Sequence, residues 1–223
     1  DTDPAPVNAE LLTLKIYTEH MQIDRKAVFA DGRIRGVRDM LNSRFVPHRK
    51  YRTRFYQDTD LDVLYTNGRG SPLRYVVESY RVPSQASMLR QASGAPAPTM
   101  NRYLQLPPLD ARVAQLAHRV TKDANTQYDK VVALEQYLMT EYSYSLEGGH
   151  DADDPLLDFL FNKQSGHCEY FSTALTILLR TLGIPARSVG GFFGGKYNDV
   201  GKYVQVRQAD AHSWTEVYFN GIG

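Results

Sequence analysis

The stretch GHCEYFSTALTILLRTLGIPAR, residues 166–187, decides the fold of the second half of the chain. Its apolar side chains recur at helical spacing over about three turns, which predicts a helix with one buried face. These side chains are Phe171, Ala174, Leu175, Leu178, Leu179 and Leu182. Gly183 suits the left-handed position that ends a helix, and Pro185 forbids continuation. Counting back from this end places Cys168 in the first turn.

Cys168 is the only cysteine of the chain, so an internal disulfide and a cysteine-rich zinc site are both excluded. At the start of a helix, unpaired backbone N–H groups favour a thiolate over a thiol, and they can also hold an oxyanion. The alternative is a buried structural thiol, as free cysteines commonly are. Against it, the residues on either side, His167 and Glu169, are polar, which is unusual around a core position. From this stretch alone, a nucleophile and a buried structural thiol both remain open.

A thiol nucleophile needs a base, and the chain has six histidines. His167 adjoins Cys168, but neighbouring residues on a helix point about 100° apart and do not face each other. His212 is the stronger candidate because it begins the alternating run HSWTEVYF, which predicts a strand that holds the imidazole rigidly. Trp214 and Glu216 share its face and are candidates for substrate binding, although Trp214 is equally consistent with a packed aromatic of the sheet.

The two halves of the chain differ in composition. Residues 1–107 carry 16 basic and 11 acidic side chains, and residues 108–223 carry 10 and 14. Alternating apolar positions, as in the run 12–16, and the segment 73–82 predict antiparallel strands in the first part. Residues 83–107 are rich in Ser, Ala, Gly and Pro, which predicts a connector. We therefore expect a β-rich N-terminal domain that ends with this connector, followed by a second domain.

The second domain is predicted to open with helices over about 110–121 and 126–140, the latter led by a capping box in which Asp129 replaces Glu. A short third helix should begin at Asp154 with Pro155 in its first position. Helices followed by the strand run around His212 predict an α+β fold, with the helices packed on an antiparallel sheet.

Charge and hydropathy exclude several partners. A formal net charge of +1 provides no global attraction for nucleic acid or an anionic membrane. The basic and aromatic run RKYRTRFY, residues 49–56, could form a platform for single-stranded nucleic acid, but alternating Arg is the usual way in which an exposed sheet face stays soluble. No apolar run approaches the roughly 18 to 20 residues that cross a bilayer. We expect neither nucleic-acid binding nor direct membrane insertion of this segment.

From about Asp110 to the C-terminus, the order and spacing of several motifs resemble the transglutaminase-like superfamily, particularly its bacterial members. The motifs are GHCEYF, LGIPAR, SVGGFFGG, VQVRQ and DAHSWTEVY. The resemblance implies a papain-like fold, Cys168 as nucleophile, and His212 as general base and acid. It implies no cofactor and no metal. The acidic group Asp151, Asp153 and Asp154 lacks the glycine and distal glutamate of a calcium loop, so calcium is not expected there either.

The resemblance also exposes a gap. In this family a third residue, usually Asp, orients the histidine from the strand after the base motif, and that strand would begin where the sequence stops at Gly223. We therefore expect either that the second domain is truncated at its C-terminus or that the orienting residue is supplied differently. Asp210 is the nearest acid and is the remaining candidate for the orienting role, although its place in the sequence resembles the lead-in of the base motif.

The expected chemistry is cysteine-dependent acyl transfer on protein or peptide amides through an acyl-thioester. Water as acceptor would make the protein a thiol hydrolase or peptidase, and an amine would make it a protein-glutamine transglutaminase. The alternative is a non-catalytic binding or scaffold module with a degenerate thiol site, since the third triad residue is missing. Bacterial relatives with a preceding β segment imply an extracytoplasmic part of a membrane-anchored protein, in the periplasm or at the cell surface.

Overall fold

The computed structural model describes residues 9–17, 26–27, 33–39, 46–47, 56–58, 63–66, 74–82, 85–147 and 153–222. The chain divides into two compact units, Asp1–Ser84 and Gln85–Gly223. None of the helices in the described residues has the length and apolar character needed to span a bilayer.

Within the described residues, the first unit consists of antiparallel strands. They are β1 (Glu10–Tyr17), β2 (Lys26–Ala27), β3 (Arg33–Asp39), β4 (Val46–Pro47), β5 (Tyr56–Asp58), β6 (Val63–Thr66) and β7 (Arg74–Arg81). Two sheets form, in the orders β1-β7-β3-β4 and β2-β6-β5. The strands predicted at 12–16 and 73–82 are confirmed as β1 and β7. Residues 49–55, most of the basic and aromatic run RKYRTRFY, lie outside the described residues.

The second unit combines helices and short sheets. Its helices are α1 (Ala86–Gln91), α2 (Ala111–Val120), α3 (Gln127–Glu141), α4 (Pro155–Leu157) and α5 (Cys168–Thr181), with 3₁₀ turns at Pro98–Leu104 and Gln208–Asp210 and a π-helix at Asp158–Lys163. Its strands are β8 (Ser143–Tyr144), β9 (Ser165–Gly166), β10 (Ala186–Phe192), β11 (Lys196–Asn198), β12 (Tyr203–Gln205) and β13 (Ala211–Val217). β10 pairs with β13 and β11 with β12, both antiparallel, whereas β8 and β9 are parallel. The α+β prediction is confirmed.

Side-chain caps begin the helices where the sequence predicted them. The Asp110 carboxylate accepts from the backbone N–H of Arg112 at 2.8 Å and starts α2. Thr126 Oγ1 accepts from the N–H of Asp129 at 3.1 Å and starts α3. Asp154 Oδ1 accepts from the N–H of residue 157 at 3.0 Å and starts α4. Each cap satisfies a donor that the helix itself leaves unpaired, so these starts are encoded locally.

The helix α5 is the centre of the second unit. Its buried face packs against α2, α3 and the π-helix in one core, which contains Val113, Leu116, Ala117, Leu134, Leu138, Phe159, Leu160, Ala174, Leu178 and Leu179. At its end Gly183 adopts φ +73°, its N–H donates to Arg180 O, and the N–H of Ile184 donates to Leu179 O. This is the hydrogen-bond pattern of a glycine-terminated helix. The predicted helix and its end are confirmed.

Residues 85–107 differ from the predicted connector because they fold with the second unit. The side chain of Leu89 in α1 is 9% exposed, and Arg90 Nε lies 2.8 Å from Asp129 Oδ1 of α3. The Gln105 carbonyl accepts from Arg180 Nη1 of α5 at 2.8 Å. A few anchoring contacts therefore hold a segment whose composition predicts no continuous apolar face. The compact units separate after Ser84 rather than at residue 107.

Candidate active site

Cys168 is the first residue of α5 and is partly exposed. The N–H groups of Tyr170 and Phe171 donate to the carbonyl of His167, at 3.0 and 3.4 Å. The earlier N–H groups, on Cys168 and Glu169, have no preceding helical carbonyl to bond because the helix begins here. The thiol therefore lies at the positive end of the helix dipole, beside two backbone donors.

The segment before Cys168 is fixed by contacts that the sequence analysis missed. β9 (Ser165–Gly166) pairs in parallel with β8, and the N–H of residue 145 donates to the Gly166 carbonyl at 2.9 Å. A Cβ on Gly166 would lie 2.7 Å from the ring of Tyr170, so a larger residue could not occupy this position without a shift. The His167 ring packs edge-on against Tyr170, with centroids 4.7 Å apart. The glycine before the His-Cys pair was the available signal for this close approach.

His212 is the second residue of β13 and pairs with Gly191 of β10. Its ring lies 5.8 Å from that of Phe193, centroid to centroid, and the side chain is partly buried. Its neighbour Ser213 faces α5, because Ser213 Oγ lies 2.7 Å from Ser172 Oγ. The fold therefore brings the second turn of α5 against the start of β13, while strand alternation places the His212 side chain on the other face of β13, with Trp214. No hydrogen bond joins Cys168 to His212 in the described part of the chain.

Asp210 ends the 3₁₀ turn that precedes β13. Its Oδ2 accepts from the backbone N–H of Arg207 at 2.6 Å, and its carbonyl accepts from the N–H of Phe193 at 2.9 Å. The carboxylate is thus engaged in closing the turn, and the described residues contain no hydrogen bond between it and His212. Its orienting role stays a prediction, which this geometry does not favour.

Trp214 and Glu216 share the strand face of His212, as the alternation predicts. A Cβ on Gly191 would lie 2.7 Å from the Trp214 ring, so the indole lies directly over this glycine. Glu216 Oε2 lies 2.8 Å from Arg187 Nη2, a cross-strand ion pair at the opposite end of β13. Substrate binding by either side chain stays a prediction, and each has a structural partner that explains its presence.

A shallow cleft of about 240 Å³ adjoins the first two turns of α5. It is lined by Pro155, Leu156, Phe159, Glu169, Tyr170 and Thr173. A second cleft, of about 210 Å³, lies at the far end of the same helix and includes Gly183 and Ile184. The cleft of about 240 Å³ is the nearer one to Cys168 along the chain, because its lining includes Glu169, the next residue. Among the described residues, no three His, Cys, Asp or Glu side chains are grouped to hold a metal ion.

Comparisons with known proteins point to one family. The model of the transglutaminase-like superfamily matches residues 114–223. The protein-glutamine gamma-glutamyltransferase of Pseudomonas aeruginosa is 37% identical over 141 residues, which are 62% of this chain and 21% of that protein. The uncharacterized protein YebA of Bacillus subtilis is 41% identical over 128 residues, 53% of this chain and 17% of that protein. The chain thus spans about a fifth of the length of these curated relatives.

A solved structure is similar over nearly the whole chain. The periplasmic domain of TgpA from Pseudomonas aeruginosa, bound to ethylmercury, superposes with a TM-score of 0.71 at 27% identity. The match covers 98% of this chain and 71% of that domain. The first unit is therefore part of the likeness, although the family model begins only at residue 114.

Proposed function

This chain belongs to the transglutaminase-like superfamily through its second unit, and from that premise we propose that it catalyses cysteine-dependent acyl transfer on protein or peptide amides. The observation that carries the proposal is the position of Cys168 at the first residue of α5, beside unpaired N–H groups. The contact between Ser172 and Ser213 supports it, since it brings the strand of His212 to the same end of the helix.

In the proposed reaction the Cys168 thiolate attacks the amide carbonyl, and a C–S bond forms. The oxyanion of the tetrahedral intermediate is stabilised by the N–H groups of Cys168 and Glu169. His212, protonated by the thiol, gives this proton to the departing nitrogen as the C–N bond breaks. The acyl-thioester is then attacked by water or by an amine, His212 accepts the proton of that second nucleophile, and the C–S bond breaks to release the Cys168 thiolate.

The amine is the favoured acceptor because the relative from Pseudomonas aeruginosa is named as a protein-glutamine gamma-glutamyltransferase. We therefore assign glutamine side chains of a protein or peptide as acyl donors and primary amines as acceptors. Hydrolysis is the competing outcome of the same thioester. The likeness to a periplasmic domain supports an extracytoplasmic location, in the periplasm or at the cell surface. No cofactor or metal takes part in the proposed chemistry.

A second candidate function is a binding or scaffold module whose thiol site does not turn over. The observation that favours it is the carboxylate of Asp210, which is held by the N–H of Arg207 and therefore leaves His212 without an orienting acid among the described residues. An imidazole with no orienting partner populates the wrong tautomer, which lowers turnover by ~10⁴-fold in a related triad.

The first experiment measures alkylation of Cys168 by iodoacetamide across pH. Because Cys168 is the only thiol, the rate reports on it alone. We expect reaction well below the free-thiol pKa of about 8.5 in the native protein, and a return to that value in His212→Ala. His167→Ala is the matched control, since it removes the histidine next to Cys168 but should keep the low-pH reaction. Equal profiles for the native protein and His212→Ala would contradict the catalytic proposal.

The second experiment incubates the protein with a glutamine-containing peptide and a labelled primary amine. Incorporation of the label supports acyl transfer, and deamidation without incorporation supports hydrolysis. Cys168→Ser should abolish both. If neither product forms while ethylmercury still binds Cys168 in a ratio of one to one, the site is accessible but inactive, and the binding-module candidate is favoured.

A further inference from the structure

Three serine hydroxyls meet between α5 and the β10–β13 pair, directly behind the candidate site. Ser172 Oγ lies 2.7 Å from Ser213 Oγ and 3.0 Å from Ser188 Oγ, and the last two are 3.3 Å apart. Ser172 is 4% exposed, so its hydroxyl depends on protein partners rather than on water. We call Ser172, Ser188 and Ser213 the serine cluster.

A second hydroxyl contact repeats the arrangement one turn later along the helix. Thr176 Oγ1 lies 3.3 Å from Thr215 Oγ1, and Thr215 Oγ1 donates to the carbonyl of Ser172 at 3.0 Å. Four residues of a helix rise about 6 Å, and two residues of a strand rise about 7 Å. The contacts Ser172–Ser213 and Thr176–Thr215 are therefore spaced equally along the helix and along the strand. A shift of α5 along β13 would break both contacts.

Two members of the serine cluster, Ser172 and Ser213, lie close in the sequence to the proposed catalytic residues. Cys168 precedes Ser172 by one helical turn, and His212 precedes Ser213 by one residue. Apolar contacts are non-directional and tolerate small slips, whereas hydroxyl contacts at these distances fix both translation and rotation. The placement of the thiol relative to the imidazole strand is thus decided at the hydroxyls nearest to them.

We infer that Ser172 and Ser213 are positioning residues, which set the register of the first turn of α5 against β13 and so hold Cys168 and His212 in reacting geometry. The inference rests on the proposed function. Neither serine touches substrate in this account; each acts through the catalytic residue that precedes it. A displacement of about 1 Å at reacting groups costs on the order of 10²-fold in rate, so a loosened register should be visible in catalysis.

The test compares Ser172→Ala, Ser213→Ala and Ser213→Thr in the full chain. The alanine variants should lower kcat about 10- to 100-fold with KM unchanged, and should move the alkylation profile of Cys168 toward the free-thiol pKa of about 8.5. Ser213→Thr keeps the hydroxyl and should restore the native profile. Thr176→Val is the matched comparison: it removes a hydroxyl from the same interface, one turn farther from Cys168, but keeps the bond from Thr215 Oγ1 to the Ser172 carbonyl, so it should shift the profile less than either alanine variant.

The outcomes separate this inference from the proposed function. If the alanine variants keep the native profile while His212→Ala shifts it, the positioning role is wrong and the catalytic proposal stands. If the native protein and His212→Ala have the same pH profile of Cys168 alkylation, the positioning role and the catalytic proposal are both wrong. Should the alanine variants fail to fold, Ser188→Ala, which removes the exposed member of the cluster, takes their place. A smaller shift in the same direction is then expected, and an unchanged profile again overturns the inference.

Discussion

The start of α5 differs from the starts of the longer helices that precede it in the second unit. The helices α2 and α3 use Asp110 and Thr126 to occupy a first-turn N–H, whereas no side chain caps α5 at His167. An uncapped helix start leaves its donors available to an anion, which is the usual arrangement at a helix that binds one. The missing cap therefore costs local stability and provides the oxyanion donors that the proposed reaction requires.

Gly191 is the residue at which the candidate site should be most sensitive to a single added methyl group. It pairs with His212, and a Cβ would lie 2.7 Å from Trp214 Cη2. Gly191→Ala should displace the indole and destabilise the protein by about 1–3 kcal/mol, as overpacking does. Because Trp214 is the only tryptophan, its emission spectrum and its quenching by acrylamide report the displacement directly.

Gly190 supplies the control for that substitution, because a Cβ there would meet nothing within 4 Å. Gly190→Ala should therefore leave the emission unchanged and be neutral or slightly stabilising. An unchanged emission spectrum in Gly191→Ala would show that the ring does not lie over this glycine.

The N-terminus of α3 shows how one element is tied to its neighbour by charge. The Asp129 carboxylate receives the Thr126 hydroxyl at 2.7 Å and the Arg90 guanidinium at 2.8 Å. The hydrogen bond from Thr126 and then the pairing with Arg90 hold the pKa of Asp129 below its ordinary value of 3.8. These contacts join α1 to α3, so the cap of one helix also anchors another.

This pKa shift has a definite sign for acid stability. A carboxylate whose pKa is lower in the folded state stabilises the fold at every pH above its unfolded value of 3.8, and this contribution is lost as the pH falls through the lowered value. Asp129→Asn should therefore be less stable than the native protein at pH 7, and the difference should shrink below pH about 4. Denaturant unfolding of both proteins at pH 7 and at pH 3 measures this difference in stability.

Asp123 is a suitable control for that measurement. Its side chain is 89% exposed and lies 3.9 Å from Lys122 Nζ, so Asp123→Asn should change little at either pH. If Asp129→Asn lost as much stability at pH 3 as at pH 7, its contribution would come from packing rather than from charge.

Across the whole molecule, the features encoded within a few residues were predictable. Thr126 and Asp154 predict helix starts, and Gly183 predicts a helix end. In the structure Thr126 and Asp154 cap α3 and α4, and Gly183 ends α5. Cys168 was placed at the start of α5 by counting from that end. The roles of Cys168 and His212 themselves remain proposals, because a helix start and a strand start identify chemistry without showing that the two side chains meet.

Features that depend on distant partners were not predictable. The pairing of β8 with β9 joins residues 143–144 to 165–166, and no local pattern indicates such a short parallel pair. The serine cluster was equally hidden, because a serine that faces another element has the same local sequence as one that faces water. The anchors of residues 85–107 were hidden for the same reason, since they lie in α3 and α5.

The division after Ser84 leads to a prediction about fragments of the chain. A fragment of residues 85–223 keeps all the contacts of the second unit, whereas a fragment of residues 108–223 loses buried Leu89 and the Arg90–Asp129 ion pair. It also loses the hydrogen bonds from Asn220 to the carbonyl of Ser93 and from Arg180 to that of Gln105.

Burial of one leucine contributes about 2 kcal/mol and each hydrogen bond about 1 kcal/mol. We therefore expect the free energy of unfolding of the shorter fragment to be about 4 kcal/mol lower, measured by urea denaturation, while the longer one reproduces the unfolding of the second unit in the full chain. Equal midpoints for the two fragments would show that residues 85–107 are a connector after all, and that the second unit begins near residue 108.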